Sequence, residues 1–280
     1  MNCLLCKEMT ASELQSKENY SYRCCSRCGF VYLYPRPDSD GLRDLYSGKA
    51  ECAIDTSIDP TGEEIIHRSR FAVELDRIEK LRSPGNILDI GSAWGFFLAL
   101  AEERGWLPLG VELSCEASEY ARRRFGLNVF TGTLADARLP ESHFDVVTLW
   151  HVLEHIPDPL AELTEIRRII RDDGLLVVSV PTPWSICDYL SDAVPVHLYY
   201  FDEGTLTSIA RKAGFRVLRI GKRSSSGMMA KLKKAGIQDP RQFLVRYWRP
   251  LSKVRRLLQS VITHFGHPKE ITLYAVPIDE

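Results

Sequence analysis

Residues 86–95 read NILDIGSAWG, and this stretch decides the fold. The apolar residues within 87–90 are strand formers, and the run ends at Gly91. Gly91 and Gly95 leave room for the backbone to approach a ligand, and the residues that follow have helical spacing. Asp89 lies just before the turn, at the strand end where open α/β sheets bind their ligands. The stretch therefore predicts a strand, a tight turn over a ligand and a helix.

Length and charge exclude several classes of protein. A chain of 280 residues can bury one sizeable core and carry a small appendage. The net charge of -1 gives no overall attraction to nucleic acid, and we expect no nucleic-acid partner. The N-terminus MNCLLCKEMT lacks a basic region followed by an apolar one, and the sequence has no long apolar span. We therefore expect a cytoplasmic protein in a reducing compartment.

Five of the eight cysteines lie near the N-terminus. Cys3-x2-Cys6 followed by Cys25-x2-Cys28 gives two pairs of thiolates at a spacing typical of a tetrahedral zinc site. Cys24 is an alternative ligand to Cys25. Disulfides and unremarkable thiols are the other interpretations, but a reducing compartment argues against disulfides. A closed site of four thiolates leaves no position for a substrate, so its predicted role is structural.

The sequence pattern divides the chain into three segments. We predict a zinc-ribbon-like module at 1–50, a connector with an amphipathic helix at 51–83, and an α/β domain at 84–280. In that domain Val, Leu and Ile runs alternate with amphipathic helices, which predicts a Rossmann-like, mostly parallel seven-stranded sheet with helices on both faces. The predicted strands are 86–90, 109–113, 129–131, 144–150, 175–180, 215–220 and 271–276. The predicted helices are 96–104, 115–125, 160–170 and 205–213.

Several motifs resemble those of the class I S-adenosylmethionine-dependent methyltransferases. They are LDIGSAWG, GVELS, TGTLADARLP, FDVVTLWHVLEHIPDP, DDGLLVVSVPTP and HLYYFDEGTL followed by AGFRV, over about residues 85–220. LEHIPDP and HLYYF are similar to the branch that modifies small molecules, sugars and quinones. Ala93 departs from the family pattern, because many relatives have another glycine there. Thr133 departs as well, because relatives often carry an acid after the third strand.

The resemblance implies S-adenosyl-L-methionine as the cofactor. Glu112, at the end of the second predicted strand, would accept hydrogen bonds from both ribose hydroxyls. Asp89 would lie near the methionyl ammonium, and Trp150 under the transferring methyl group. The other implied cofactor-binding residues are Gly91, Ser92, Gly95, Leu113, Thr133 and Leu134. Glu112 also lies where nicotinamide enzymes carry an acid, but the turn lacks G-x-G-x-x-G, and Trp94 lies where a pyrophosphate needs clearance.

Methyl transfer from a sulfonium is an in-line displacement, so the protein mainly aligns the reactants. An oxygen or nitrogen acceptor also loses a proton, and the candidate catalytic residues are His151, Glu154, His155 and His197. His151 and His155 share a face if 152–156 is helical. A structural pairing of Glu154 with His155 is the alternative role for these two residues.

A divalent metal is a second interpretation of the same residues. Ubiquinone-pathway and small-RNA methyltransferases, which this stretch resembles, use an E-x2-E-H pattern and a later histidine to hold a metal that activates a hydroxyl. Here the corresponding set is His151, Glu154, His155 and His197. Because His151 replaces an acid and magnesium prefers oxygen ligands, we favour the interpretation without a metal.

Residues 221–267 have no counterpart in a minimal methyltransferase. They carry eleven Lys or Arg residues against one acid, Asp239, with apolar residues at helical spacing. One interpretation is a packed helical insertion with a basic face. The other is peripheral contact with an anionic membrane, or with a phosphorylated or lipid-linked substrate.

The sequence therefore predicts an S-adenosylmethionine-dependent methyltransferase that acts on an oxygen of a small-molecule, sugar or glycolipid-linked acceptor. One alternative is a sugar C-methyltransferase, which has a similar zinc module but a further C-terminal domain that we do not find in this sequence. The other is a catalytically idle binding protein on a Rossmann-like scaffold. Neither the acceptor nor the oligomeric state follows from the sequence.

Overall fold

The computed structural model describes residues 2–17, 19–37, 60–185, 197–223 and 268–278. Residues 38–50 of the predicted N-terminal module, residues 51–59 of the predicted connector and residues 224–267 of the basic insertion predicted at 221–267 lie outside this part of the chain. The strands are β1 (Ala11–Lys17), β2 (Tyr20–Cys25), β3 (Val31–Tyr34), β4 (Asn86–Ile90), β5 (Leu107–Glu112), β6 (Asn128–Thr131), β7 (Phe144–Trp150), β8 (Ile170–Pro181), β9 (Tyr199–Tyr200), β10 (Phe215–Arg223) and β11 (Glu270–Pro277). The α-helices are α1 (Pro60–Glu79), α2 (Phe96–Glu103), α3 (Cys115–Phe125), α4 (Leu134–Ala137), α5 (Pro159–Ile169) and α6 (Glu203–Lys212).

Seven strands form the main sheet in the order β10-β11-β8-β7-β4-β5-β6. The strands from β8 to β6 in this order run parallel, and β11 is antiparallel to both of its neighbours. Successive residues of a strand face opposite sides, so Ile87 and Leu88, both fully buried, belong to different hydrophobic clusters. The predicted Rossmann-like sheet covered on both faces is confirmed.

Local sequence rules explain where the helices begin and end. The Ser114 hydroxyl accepts a hydrogen bond from the Ala117 N–H at 3.1 Å and caps α3, which ends at Gly126 with φ of 73°. In α6, Asp202 caps the first turn in a capping box with Thr205. Each cap satisfies backbone groups that the helix itself leaves unpaired. Both helices therefore start directly after the strand or turn that precedes them.

The N-terminal residues 2–37, which we call the cysteine module, form a second sheet. Strands β1, β2 and β3 are antiparallel, and the fourth strand of this sheet is β9. Val31 of the module pairs with Tyr200, and Tyr32 pairs with Tyr199. The cysteine module thus shares a sheet with a segment that lies far from it in the chain.

Two predicted strand boundaries differ from the structure by three residues or more. β8 begins at Ile170, five residues before the predicted strand at 175, because Phe144 of β7 pairs with Ile170. β10 continues to Arg223, opposite Glu270 of β11. The predicted insertion at 221–267 therefore begins inside a paired strand, and its first three residues belong to the main sheet.

Candidate functional site

The candidate site lies at one edge of the main sheet. The carboxyl ends of β4, β5, β7 and β8 meet there, and because β11 runs the other way, its first residue, Glu270, lies at the same edge. We divide this edge into two parts. The glycine-turn side comprises residues 89–95 and 112–114, and the histidine side comprises residues 150–155, 197 and 270.

Three residues of the glycine turn have left-handed backbone conformations. The φ angles are 68° at Gly91, 50° at Ala93 and 80° at Gly95. This conformation costs a residue with a side chain about 1 kcal/mol, whereas glycine adopts it without that cost. The departure from the family pattern at Ala93 therefore falls at a position where glycine fits better. A side chain at Gly91 would also clash with Val152, since its Cβ would lie 2.4 Å from Cγ2.

Glu112 ends β5 and holds the glycine turn. Its Oε2 accepts a hydrogen bond from the Ala93 N–H at 2.8 Å, and its Oε1 accepts one from the Ser114 N–H at 2.8 Å. Each carboxylate oxygen keeps a further lone pair with which it can accept a ligand hydroxyl. The sequence did not predict the hydrogen bond to Ala93. Glu112 therefore stabilises the glycine turn, in addition to its predicted role in binding the ribose hydroxyls.

Asp89 is buried at the end of β4. Its Oδ1 accepts a hydrogen bond from the Thr148 hydroxyl at 2.6 Å. Burial raises the pKa of Asp89 to about 8, and the charge of Glu112 acts in the same direction. Nearby, the buried Ser92 hydroxyl has no hydrogen-bond partner among the described residues. A ligand with an ammonium group would stabilise the Asp89 carboxylate in its ionised form.

The segment after β6 carries two more predicted residues. Thr133 caps α4, and the Asp136 carboxylate accepts hydrogen bonds from the Thr133 hydroxyl at 2.6 Å and from its N–H at 3.2 Å. Leu134 is buried, whereas Leu113, after β5, is 66% exposed. Asp136 is thus an acid three residues beyond the position where relatives often carry one.

Trp150 ends β7 and packs into the core. Its ring lies 5.8 Å from that of Phe71 and 5.2 Å from that of Phe97, between centroids. The buried indole N–H has no hydrogen-bond partner within the described ranges. Its predicted place under the transferring methyl group stays a prediction.

His151 and His155 would share a face only if 152–156 were helical, and this condition is not met. Only Leu153–His155 forms a helical turn, of the 3-10 type, and His151 lies before it with φ of 58°. The His151 N–H donates to the Ser179 carbonyl at 2.9 Å, which fixes this conformation. The imidazole Nε2 lies 3.0 Å from Glu270 Oε2, and Nδ1 lies 3.5 Å from Glu154 Oε1. His151 is therefore held between two carboxylates.

Glu270 is a residue that sequence reasoning missed. Besides His151, it accepts hydrogen bonds from the Ser179 hydroxyl at 2.9 Å, from Arg70 at 2.8 Å and from Arg223. Burial alone would raise its pKa, but the bond to His151 and the charges around it lower that pKa below its usual range. Burial would likewise lower the pKa of His151, yet the two carboxylates raise it to about 9. His151 is therefore a cation at neutral pH.

Glu154, His155 and His197 form a second cluster on the histidine side. One ligand atom of each lies within 4.8 Å of the others. Glu154 is fully buried, and neither carboxylate oxygen has a hydrogen-bond donor in the described part of the chain. Burial lowers the pKa of His197 to about 3, so that its imidazole is neutral. Of the predicted set of four residues, His151 lies outside this cluster, although its Nδ1 is 3.5 Å from Glu154 Oε1.

The four predicted zinc ligands lie together. The Sγ atoms of Cys3 and Cys28 are 3.6 Å apart, those of Cys6 and Cys25 are 3.5 Å apart, and all four lie within 4.8 Å of one another. Cys24 points elsewhere, with its Sγ 3.5 Å from the Gly29 carbonyl oxygen. The geometry therefore selects Cys25 over Cys24 as a member of the cluster.

Several known proteins similar to this chain are described as methyltransferases. Residues 65–220, more than half of the chain, match the family described as Methyltransferase domain. A ubiquinone biosynthesis O-methyltransferase of Haemophilus ducreyi is 30% identical over 103 residues, which cover 33% of this chain and 44% of that protein. A probable S-adenosylmethionine-dependent methyltransferase of Mycobacterium tuberculosis is 27% identical over 198 residues, which cover 67% of this chain and 71% of that protein.

A solved structure shows the same fold. The SAM-dependent methyltransferase from Archaeoglobus fulgidus matches with a TM-score of 0.57 and 21% identity, over 76% of this chain and 94% of that one. The match to the ubiquinone-pathway relative spans less than half of that relative's length. From the family match, the chain belongs to the methyltransferase-domain family, as a class I S-adenosylmethionine-dependent methyltransferase.

The glycine-turn side fits the cofactor of this family. S-adenosylmethionine carries an ammonium, a carboxylate and two ribose hydroxyls. Asp89 offers a buried carboxylate whose ionised form needs a cation, and Ser92 offers a buried hydroxyl that has no protein partner within the described ranges.

Among the described residues, no helix is both long and apolar enough to cross a membrane.

Proposed function

We propose that the protein transfers the methyl group of S-adenosylmethionine to an oxygen of a small-molecule, sugar or glycolipid-linked acceptor bound over the histidine side. The observation that supports this is the pairing of a half-buried histidine, His155, with the buried carboxylate of Glu154 at the sheet edge that carries the glycine turn. An oxygen acceptor needs a group that removes its proton, whereas binding alone does not. The partial identity to a ubiquinone biosynthesis O-methyltransferase agrees with this class of acceptor.

His155 is the residue that we assign as the general base. His151 is already protonated at neutral pH, since its pKa is about 9, and the pKa of about 3 at His197 makes that imidazole a weak base. Glu154 lies beside His155 and stabilises the imidazolium that forms when His155 takes the proton. The cofactor supplies the methyl group, and the chain holds the acceptor oxygen in line with it.

The test is a methyl-transfer assay with a panel of phenols, sugars and nucleotide sugars. Formation of S-adenosylhomocysteine together with an O-methylated product supports the proposal. His155→Gln should lower turnover roughly a hundredfold or more while the affinity for S-adenosylhomocysteine stays unchanged. A product methylated on carbon would point to the sugar C-methyltransferase alternative. Cofactor binding without turnover of any acceptor would point to the idle scaffold.

The alternative of a divalent metal at Glu154, His155 and His197 has one observation in its favour. A fully buried carboxylate without hydrogen-bond donors among the described residues is costly, and a metal ion would offset that cost. Two imidazoles and one carboxylate suit a transition metal better than magnesium. We keep the interpretation without this metal, because His151 lies 3.5 Å from Glu154 and supplies positive charge. Activity that resists a chelator agrees with this choice.

Zinc at Cys3, Cys6, Cys25 and Cys28 is part of the same proposal. The support is the distance between the sulfur atoms, which lie as close together as ligands of one tetrahedral ion. With four protein ligands the ion would be structural. The chemistry would then remain at the edge of the main sheet.

A further inference from the structure

Strand β9 belongs to two parts of the molecule at once. It follows His197 by one residue, yet it pairs with β3 of the cysteine module, Val31 opposite Tyr200 and Tyr32 opposite Tyr199. A strand of two residues has little stability of its own. Its position therefore depends on the module to which it is paired.

Hydrogen bonds extend this connection to the backbone of His197 and Glu154. The buried Tyr22 hydroxyl donates to the His197 carbonyl at 2.8 Å, and burial raises the pKa of Tyr22 to about 12, so that the hydroxyl stays a donor. The Leu33 N–H donates to the Leu198 carbonyl at 2.9 Å, and the Leu198 N–H donates to the Glu154 carbonyl at 2.9 Å. A continuous path thus runs from the module through residues 197 and 198 to Glu154.

A second connection holds the loop after His155. The Tyr199 hydroxyl donates to the Pro157 carbonyl at 2.8 Å, and Arg36 of the module donates to the same oxygen. Both histidines of the Glu154 cluster are therefore followed by segments that bond to the module or to β9.

Aromatic packing reinforces these bonds. The His197 ring lies 5.2 Å from Tyr200, and Tyr200 lies 5.2 Å from Tyr22, both between ring centroids. Phe30 of the module stacks on Tyr199 at 5.4 Å. The rings of Tyr200 and Phe30 are almost fully buried. The side chain of His197 thus rests on an aromatic column that ends in the module.

We propose that the cysteine module is a positioning element for the histidine side, and that Tyr22 is the positioning residue which fixes the backbone of His197. The bonds described above for Asp89 and Glu112 come from the main sheet and its turns. Loss of the contact between Tyr22 and His197 therefore changes the histidine side and leaves the glycine-turn side as it is. The inference rests on the proposed function only in taking the histidine side as the place of the acceptor.

The test compares Tyr22→Phe with Tyr34→Phe in the full chain. Tyr22→Phe removes only the hydroxyl that bonds to His197, and the control removes a hydroxyl from β3 of the same sheet. Amide hydrogen exchange and the imidazole resonances are measured by NMR, and S-adenosylhomocysteine affinity by calorimetry. In Tyr22→Phe the amides of Leu33 and Leu198 should exchange about five- to tenfold faster, as loss of one buried hydrogen bond implies. The resonances of His197 should shift.

In the same protein the amide chemical shifts of Leu88 and Val147 in the main sheet and the cofactor affinity should match those of the control. Unchanged exchange at Leu33 and Leu198 would overturn the proposal. A lower cofactor affinity in Tyr22→Phe than in the control would also overturn it, since the module would then support the glycine-turn side as well. If Tyr22→Phe does not fold, Tyr199→Phe takes its place, with a shift of the His155 resonances as the expected result and no shift as the contradicting one. These readouts need no acceptor, so failure of the methyl-transfer assay leaves them independent.

Discussion

The two sides of the sheet edge are built in different ways. On the glycine-turn side, Glu112 bonds to residues 19 and 2 positions away. On the histidine side, His151 and Glu270 are 119 residues apart, and Tyr22 and His197 are 175 apart. The first side is thus encoded in one contiguous strand-turn-helix unit, and the second forms only when separate parts of the chain have assembled. A change far away should therefore damage the second side and spare the first.

The double variant Cys3→Ser with Cys28→Ser should have the largest effect. Structural zinc contributes on the order of 10 kcal/mol to the folding of small modules. We expect the parent to hold about one zinc per chain and the variant to lose it, with an unfolded module and a disordered histidine side. Elemental analysis and NMR check these points, and calorimetry should show that S-adenosylhomocysteine still binds. Cys115→Ser, at an exposed position of α3, is the control. Zinc retained by the double variant would refute this ligand set.

Glu270→Gln should have a smaller effect that depends on pH. Removing one partner of a buried ion pair costs about 3 kcal/mol, and Glu270 faces His151, Arg70 and Arg223. The pKa of His151, about 9 in the folded chain, lies above its ordinary value of about 6.5. The stability from this histidine is therefore fully present below pH of about 6.5, and it is lost as the pH rises through about 9.

The lowered pKa of Glu270 acts in the opposite direction, since its contribution is present above its ordinary value and is lost on acidification. Unfolding in urea at several pH values should show a steeper alkaline loss of stability in the parent than in Glu270→Gln. In the variant, NMR should show His151 titrating at a lower pH. Glu203→Gln, at an exposed acid that pairs with Lys222, is the control. Identical titration of His151 in the parent and in Glu270→Gln would show that Glu270 does not set the charge of His151.

The sequence predicted much of the glycine-turn side and its neighbouring elements. α3 and β7 have the predicted bounds, and Asp89 and Glu112 lie at the strand ends where the motif predicts them. The four cysteines also meet as their spacing predicts. An alternating strand, a cap and a single cysteine knuckle are each decided within a few residues, so the residue types alone constrain them. The two knuckles are 19 and 25 positions apart, and the paired spacing of their thiols predicts that they meet.

The contacts of the histidine side could not be predicted from the sequence, for physical reasons. The helical spacing of His151 and His155 is present in the sequence, but the left-handed conformation of His151 depends on its bond to Ser179 of β8. Glu270 reaches the site because β11 is antiparallel to β8, and neither that direction nor its register is encoded nearby. Nothing next to Tyr22 indicates that it bonds to the backbone of His197. These contacts come from tertiary packing.

The last prediction concerns the glycine-turn side alone. Glu112→Ala should weaken binding of S-adenosylhomocysteine by about 1 to 3 kcal/mol, because the ribose hydroxyls lose their acceptor and the Ala93 N–H loses its own. Glu116→Ala, at an exposed acid in the first turn of α3, should bind as the parent does. Calorimetry measures the affinities, and NMR should find the His151 and His197 resonances unmoved, since both residues are held by other parts of the chain. Unchanged affinity would remove the ribose assignment. Moved histidine resonances would show that the two sides are coupled through the turn, where Gly91 lies against Val152 of the histidine side so closely that a Cβ at position 91 would clash with it.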